Sequence, residues 1–282
     1  EAVQMATLNV AEHFRLDGIL GGIAAGRLAD MVLVPDLFAF QPETVLCGGE
    51  IVFESGRLVK DPRQHAFSSR SLNTVRLPRR VAPSDFSIRS PFNAAAARVR
   101  IIEMVTDLVT AERHLDLPSD NGQVRADPAA GLCKIAAVDR AQQPGKLFTG
   151  LIKGFGLTRG AAACSAAWDT SDSVVVGADE ADMAGAVNRI ADLHGGAVLC
   201  EHGRIVSEIA MPIFGIASDL PVATLAAQLR DFNHAVGGLG VTFPDPLLAL
   251  ITLTGAAIPY LRICEEGLVN LKDGRTLGLF LS

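Results

Sequence analysis

Paired glycines divide this chain into short segments, and no other feature constrains its fold as much. Gly21-Gly22, Gly48-Gly49, Gly195-Gly196 and Gly237-Gly238 each interrupt a run of apolar periodicity, and Ser55-Gly56 marks a further tight turn. The segments between them read as short strands and helices in alternation, the pattern of a mixed α/β or α+β protein. At 282 residues the chain is long enough to bury a substantial core, and its length suggests two domains more readily than one.

The first segment is unusual. Val3, Ala6, Val10 and Phe14 recur at helical spacing, so a helix is expected over residues 1–18. It begins at Glu1 with neither a capping Ser, Thr, Asp or Asn nor an initiator Met. Its apolar face calls for a partner that the following residues do not obviously supply. The expectation is therefore the back part of a longer protein, with some of the chemistry upstream.

After Gly21-Gly22 a strand is expected over Leu28 to Val34, then short strands at Val45 to Leu46, Ile51 to Phe53 and Leu58 to Val59. Residues 19–62 thus form a β segment. Between Asp61 and about Pro91 there are four prolines, many Arg and Ser, and little periodicity, so residues 63–91 read as a linker or an arm lying across a surface. From Phe92 onward, residues 92–282 alternate strands and helices. Strands are expected at Arg98 to Val105, Leu132 to Val138, Thr149 to Phe155, Arg159 to Ser165 and Ser173 to Val176. Asp179 caps a helix carrying Met183, Ala186, Val187, Ile190 and Leu193. A hairpin turning at His202-Gly203 follows, and then a helix that enters near Ser218-Asp219-Leu220-Pro221 and ends at Gly237-Gly238. The remainder reads as irregular, then extended.

Composition excludes several classes. Aromatics make up 5%, with one Trp and one Tyr, so small aliphatics build the core and no base-stacking platform is available. The net charge of −6 argues against nucleic acid as a partner. Arginines do cluster between Arg57 and Arg100, but without interleaved aromatics they read as a solvated or acid-paired face. The cysteines at 47, 133, 164, 200 and 264 form no C-x-x-C pair, which fits buried thiols in a reducing cytoplasm rather than a disulfide framework or zinc site. No signal peptide and no membrane-spanning apolar run is evident.

Candidate chemistry is sparse. The six histidines never fall at ligand spacing, and His194 and His202 read as structural or solvent-facing. Lys153-Gly154-Phe155-Gly156 lacks the rest of a phosphate loop, and no serine sits in a nucleophile elbow. One polar cluster stands out: Trp168-Asp169-Thr170-Ser171-Asp172, between the apolar runs Ala161 to Ala167 and Val174 to Val176. Two carboxylates three residues apart beside two hydroxyls suit a cation or the polar edge of a heterocycle. A turn in which the Asp side chains bond their own backbone is the alternative.

Residues 1–60 resemble the tail of an amidohydrolase-superfamily enzyme. The match lies in Glu1-Ala2-Val3-Gln4-Met5-Ala6-Thr7-Leu8-Asn9-Val10-Ala11 and in Gly21-Gly22-Ile23-Ala24-Ala25-Gly26-Arg27-Leu28-Ala29-Asp30-Met31-Val32-Leu33-Val34. The later segments Lys153 to Ala161, Asp182 to Arg189, Ser218 to Pro221 and Pro259 to Ile263 resemble, in order and spacing, the C-terminal domain of adenine deaminases.

The resemblance implies a barrel-closing helix, the end of a composite β-sandwich and an adenine deaminase-like C-terminal α/β domain. It implies hydrolysis of adenine to hypoxanthine and ammonia by a metal-bound hydroxide, with divalent manganese, iron or zinc held upstream of Glu1 and none held by this chain. It further implies a purine substrate, the upstream barrel as a packing partner, and homo-oligomeric assembly. Where the family carries a His-Asp-Ser-His-Asn run, this chain has Trp168-Asp169-Thr170-Ser171-Asp172. Asp169 is kept, which makes it the candidate catalytic contributor, with Trp168, Thr170, Ser171 and Asp172 as substrate-side candidates. Two alternatives remain: a related amidohydrolase acting on another cyclic amide or amidine, and a non-catalytic packing or oligomerisation module.

Overall fold

The computed structural model describes residues 1–63 and 65–281. The chain divides into two compact units, Glu1–Ala66 and Phe67–Ser282.

In the first unit the expected single helix is broken in two, α1 (Ala2–Met5) and α2 (Leu8–His13). The break has a local cause. Thr7 leaves helical dihedrals, and its hydroxyl donates back to the Val3 carbonyl at 2.6 Å, the side-chain competition that makes Thr a poor interior helix residue. Four short strands follow: β1 (Met31–Leu33), β2 (Thr44–Cys47), β3 (Glu50–Glu54) and β4 (Arg57–Leu58). They form an antiparallel meander in chain order. Asp30 steadies it by accepting the Gly48 amide at 2.6 Å. Among the described residues of this unit Ala11 is the sole buried hydrophobe, while Val3, Val10, Phe14, Leu37, Phe38 and Phe40 are exposed.

The second unit opens with α3 (Ser69–Leu72), a 3-10 turn at Pro83–Phe86 and β5 (Ile88–Arg89). Six strands follow: β6 (Ala96–Met104), β7 (Thr110–Asp120), β8 (Gln123–Val124), β9 (Leu132–Asp139), β10 (Leu147–Lys153) and β11 (Ala161–Cys164). Then come β12 (Asp172–Gly177), α4 (Glu180–Asp192), β13 (Gly196–Glu201), β14 (Arg204–Ala210), α5 (Val222–Gly238) and α6 (Pro246–Thr252). β15 (Leu261–Cys264), β16 (Gly267–Asn270) and β17 (Arg275–Leu277) complete the chain.

Ten of these strands form one sheet in the order β14-β13-β11-β12-β9-β10-β6-β7-β8-β5. Its pairings are antiparallel except that of β10 with β6. That parallel contact covers only Ile102 and Glu103 of β6. The other half of the same edge is filled by the chain's last residues, through Arg100 N to Leu279 O and Leu281 N to Arg98 O.

The central strands β9 and β12 are buried at every position, so they read as continuous apolar runs rather than alternating ones. Their two faces feed two cores. Ile135, Ala137, Val174 and Val176 face a core shared with Phe232 and Val236 of α5, Leu247 and Leu250 of α6 and Leu261, Ile263 and Leu268 of β15 and β16. Ala136, Val138 and Val175 face the other, built from Met183, Val187 and Ile190 of α4 together with Val75, Val81 and Phe86. The result is three layers with the sheet in the middle.

Val75, Val81 and Phe86 tie the stretch of residues 67–91 to that second core. Phe86 is fully buried, Asn188 of α4 brackets Val81 through both its backbone N–H and C=O, and Arg76 N donates to Arg140 O. The one lysine inside β9 has its reason here, since Lys134 donates to the Phe86 carbonyl at 2.8 Å and pairs with Glu180. The arginines of this stretch pair with acids as their clustering suggests, Arg79 with Asp85 and Arg80 with Asp192.

The two largest additions to the sequence reading of this unit are α6 and β7. The region after Gly238 holds a helix, α6, which Asp245 caps by accepting the Leu248 amide and which Pro246 opens at its first position. The eleven-residue β7 carries Glu112, Arg113, His114 and Asp116 and has no clean apolar alternation. Its polar side chains are absorbed by ion pairs such as Glu112 with Arg100 and Arg113 with Glu103.

Candidate functional site

The antiparallel order of β9, β12 and β11 brings three chain segments to one end of the sheet. Asp139 closes β9 directly opposite Asp172, the first residue of β12. β11 ends at Cys164, and residues 165–171 cross from it to β12. All five residues of the Trp168 to Asp172 cluster therefore lie on or beside this crossing, although their side chains do different things.

Trp168 is 59% exposed. Asp169 is also exposed, and its Oδ2 accepts the Ala256 amide at 2.6 Å, which fixes the carboxylate across 87 residues of sequence. The Thr170 hydroxyl accepts the Asp172 amide at 3.3 Å, a local turn bond. Ser171 donates to Asp139 Oδ1 at 2.8 Å. Asp172 is fully buried; no donor meets its carboxylate oxygens in good hydrogen-bond geometry, and the nearby Thr170 hydroxyl and Glu265 amide offset only part of the cost of burial. A local turn bond is thus made by Thr170, while Asp169 bonds a distant segment and not its own backbone.

Three further residues, not singled out by the sequence, complete the arrangement. Asp139 is buried, yet amides of Ala141, Gln142 and Gln143 and the Ser171 hydroxyl all donate to it. Burial alone would push its carboxyl up, but these donors outweigh it and hold Asp139 below the usual carboxylate range. Arg140 is buried beside it; burial lowers its guanidinium, and the acids Asp172 and Asp139 pull the other way. Glu265, in the turn between β15 and β16, adds negative charge near Asp172. The Asp172 carboxyl is consequently raised to about 7, chiefly by burial and further by Glu265 and Asp139. A sequence signal for Asp139-Arg140 existed: two charges that directly end the apolar run Ile135 to Val138.

The buried thiols are inert by the same physics. Burial raises Cys133 to about 11 and Cys164 to about 12, which leaves too little thiolate for nucleophilic work. Among the described residues no group of three His, Cys, Asp or Glu side chains is arranged to hold a metal ion. No helix among them is long and apolar enough to cross a membrane.

Comparison with known proteins now places this arrangement. The family model for the adenine deaminase C-terminal domain matches residues 107–275, which takes in the sheet end just described, and the amidohydrolase family model matches residues 1–52. The chain belongs to the adenine deaminase C-terminal domain family. Its relatives named adenine deaminase include one from Desulfatibacillum aliphaticivorans, 36% identical, and one from Mesorhizobium japonicum, 34% identical. A third, from Clostridium botulinum, is 30% identical. In these three matches 99% of this chain is covered but only 47–48% of the relative. The chain thus spans about half the length of the curated relatives it matches. Membership agrees with the mixed sheet, whose core strands β9 to β14 all lie within the matched span.

Proposed function

We propose that this chain serves as the C-terminal part of an adenine deaminase-like hydrolase, which converts adenine and water to hypoxanthine and ammonia. The observation that carries the reading is the match of nearly the whole chain to adenine deaminases, with the C-terminal domain model and the amidohydrolase model meeting in one sequence. The family calls for a divalent metal such as manganese, iron or zinc. The side chains present here do not fit one, since the described residues hold no suitable ligand group. Metal binding and the hydrolytic step are therefore assigned to an amidohydrolase barrel outside these residues.

What this chain contributes follows from its own geometry. The exposed apolar side chains of the first unit, set on short helices and a two-sided four-stranded sheet, need a covering surface to be stable in water. The barrel is the proposed cover, with α1 and α2 closing it and β1 to β4 completing a composite sandwich. In the second unit, residues 168–172 are assigned to the substrate side. Asp169 is their one exposed carboxylate held in a fixed orientation by a long-range bond. An oriented carboxylate suits acceptance of the amidine N–H edge of a purine or the relay of a proton. A homo-oligomer in the cytoplasm is the proposed setting.

The test is adenine deamination by the natural full-length protein containing this chain, supplied with manganese, iron or zinc. Asp169→Ala is expected to lower kcat about 100-fold, the scale of a misplaced reacting group. Its effect on stability should stay near the ~1 kcal/mol of a single hydrogen bond. Silence of a folded, metal-loaded wild type toward adenine would overturn the substrate assignment. Equal loss of activity and stability in the variant would reduce Asp169 to a turn residue.

A further inference from the structure

Arg262 is the largest fully buried side chain in the molecule. Its guanidinium bonds to carbonyls and to no acid: Nε donates to Ile258 O at 2.6 Å, and Nη2 donates to Leu108 O at 2.7 Å and Pro259 O at 2.9 Å. Nη1 is buried without a partner. Burial pulls the group down to about 10. An unpaired buried cation costs several kcal/mol, and a well-packed apolar side chain of similar size would avoid that cost. What arginine offers in exchange is geometric: a rigid planar fork holds several acceptors in one fixed arrangement, which the single flexible ammonium of Lys does not impose and Met cannot make at all.

The acceptors it gathers lie mostly in one segment, residues 254–259 between α6 and β15. Thr110 of β7 fixes the same end, accepting the Tyr260 and Leu261 amides at 3.2 and 3.1 Å and donating to Leu261 O at 2.7 Å. The other end of the segment carries the Ala256 amide, which donates to Asp169 Oδ2 at 2.6 Å. The two features are thus joined by a few residues of backbone. Arg262 and Thr110 anchor the segment, and the segment orients the carboxylate.

We propose that Arg262 is a positioning residue for Asp169, acting through residues 254–259 and the Ala256 N–H. The inference deepens the adenine deaminase reading and rests on the assignment of Asp169 made there. Arg262→Lys keeps the charge and most of the bulk but loses the fork, and Arg262→Gln loses the charge as well.

In the full-length protein, Arg262→Lys is expected to lower kcat for adenine by about tenfold or more while KM moves less than about threefold. In an Asp169→Ala background the same change should lower kcat little further, because residues acting through one group are not additive. Losses that multiply across the two backgrounds would overturn the link, as would a fall in kcat that tracks the fall in Tm. Hydrogen exchange supplies a readout that needs no activity. The Ala256 amide should be protected in wild type, and its exchange should quicken by about tenfold or more in Arg262→Lys, with amides of β9 and β12 unchanged. Unchanged protection at Ala256 sinks the proposal even if the enzyme is active. A wild type that is silent toward adenine but shows the change in protection refutes the substrate reading and leaves the link standing.

Discussion

Replacing Asp172 by Asn should make the protein more stable at alkaline pH and less stable in acid. The carboxyl is fully buried, without a well-formed hydrogen bond, and raised from an ordinary 3.8 to about 7 against the weak help of the Thr170 hydroxyl and the Glu265 amide. Burial penalises its ionised form, and Glu265 and Asp139 add repulsion. Because the folded value lies above the unfolded one, the native state holds a proton that the unfolded chain releases. Below about pH 4 both states are protonated and nothing is lost. As pH rises from about 4 to about 7 the fold is progressively destabilised, and above that the cost is constant. A gap of about three units at 1.36 kcal/mol each sets that cost at about 4 kcal/mol. The amide that Asp172→Asn introduces stays neutral throughout and is expected to give back a part of this, about 1–3 kcal/mol, for its own buried donors. Urea unfolding of wild type and Asp172→Asn from pH 4.5 to pH 9 measures the difference directly. The stability curves should diverge by about 3 kcal/mol or more between the ends of that range. Parallel curves would refute the reasoning and show that Asp172 ionises freely, with Arg140 as its compensating charge.

Three other outcomes follow from packing. Phe86→Ala should cost about 3–5 kcal/mol, because the ring is fully buried in the core beneath α4. A cost below about 1 kcal/mol in thermal unfolding would show that this stretch does not hold the core together. Gly195→Ala should cost about 3 kcal/mol or more: Gly195 has φ of +124°, and a Cβ would sit 2.5 Å from both Gly215 Cα and Met211 O. A wild-type-like Tm would show that the loop after β14 yields easily. Asp182→Ala should cost about 2–4 kcal/mol, since its buried carboxylate accepts the His202 and Gly203 amides and ties α4 to the β13–β14 turn. Chemical denaturation of that variant checks the figure, and a loss under about 1 kcal/mol would mean the turn holds itself.

Much of the second unit was legible because its signals are local. Asp179 caps α4 through the Ala181 and Asp182 amides, as its place before an apolar stripe predicts. The β-branched run at Val174 to Val176 became the fully buried β12, and His202-Gly203 turned the hairpin with His202 at a positive φ of 52°. The missed elements lack such signals. β7 spends its alternation on charged residues that pair across the sheet, and α6 spans only seven residues, behind a proline that reads as a breaker from sequence. In the first unit the periodicity of Val3, Ala6, Val10 and Phe14 was real, but Thr7 cuts the helix it would describe. A period averages over residues and cannot register one side chain that bonds backward.

The candidate site divides along the same line. Its polar run was visible as an interruption of apolar sequence, and Thr170 makes the short-range bond expected of such a run, while Ser171 reaches Asp139 on β9. The properties that distinguish Asp169 from Asp172 come from elsewhere in the chain. Ala256 orients Asp169, whereas β9, with Asp139, and the β15–β16 turn, with Glu265, enclose Asp172 and load it with like charge. Two aspartates three residues apart, alike to any reading of composition, thus become an oriented surface carboxylate and a buried acid that resists ionisation. Long-range topology alone makes that difference, which is why one belongs in a kinetic experiment and the other in a pH titration of stability.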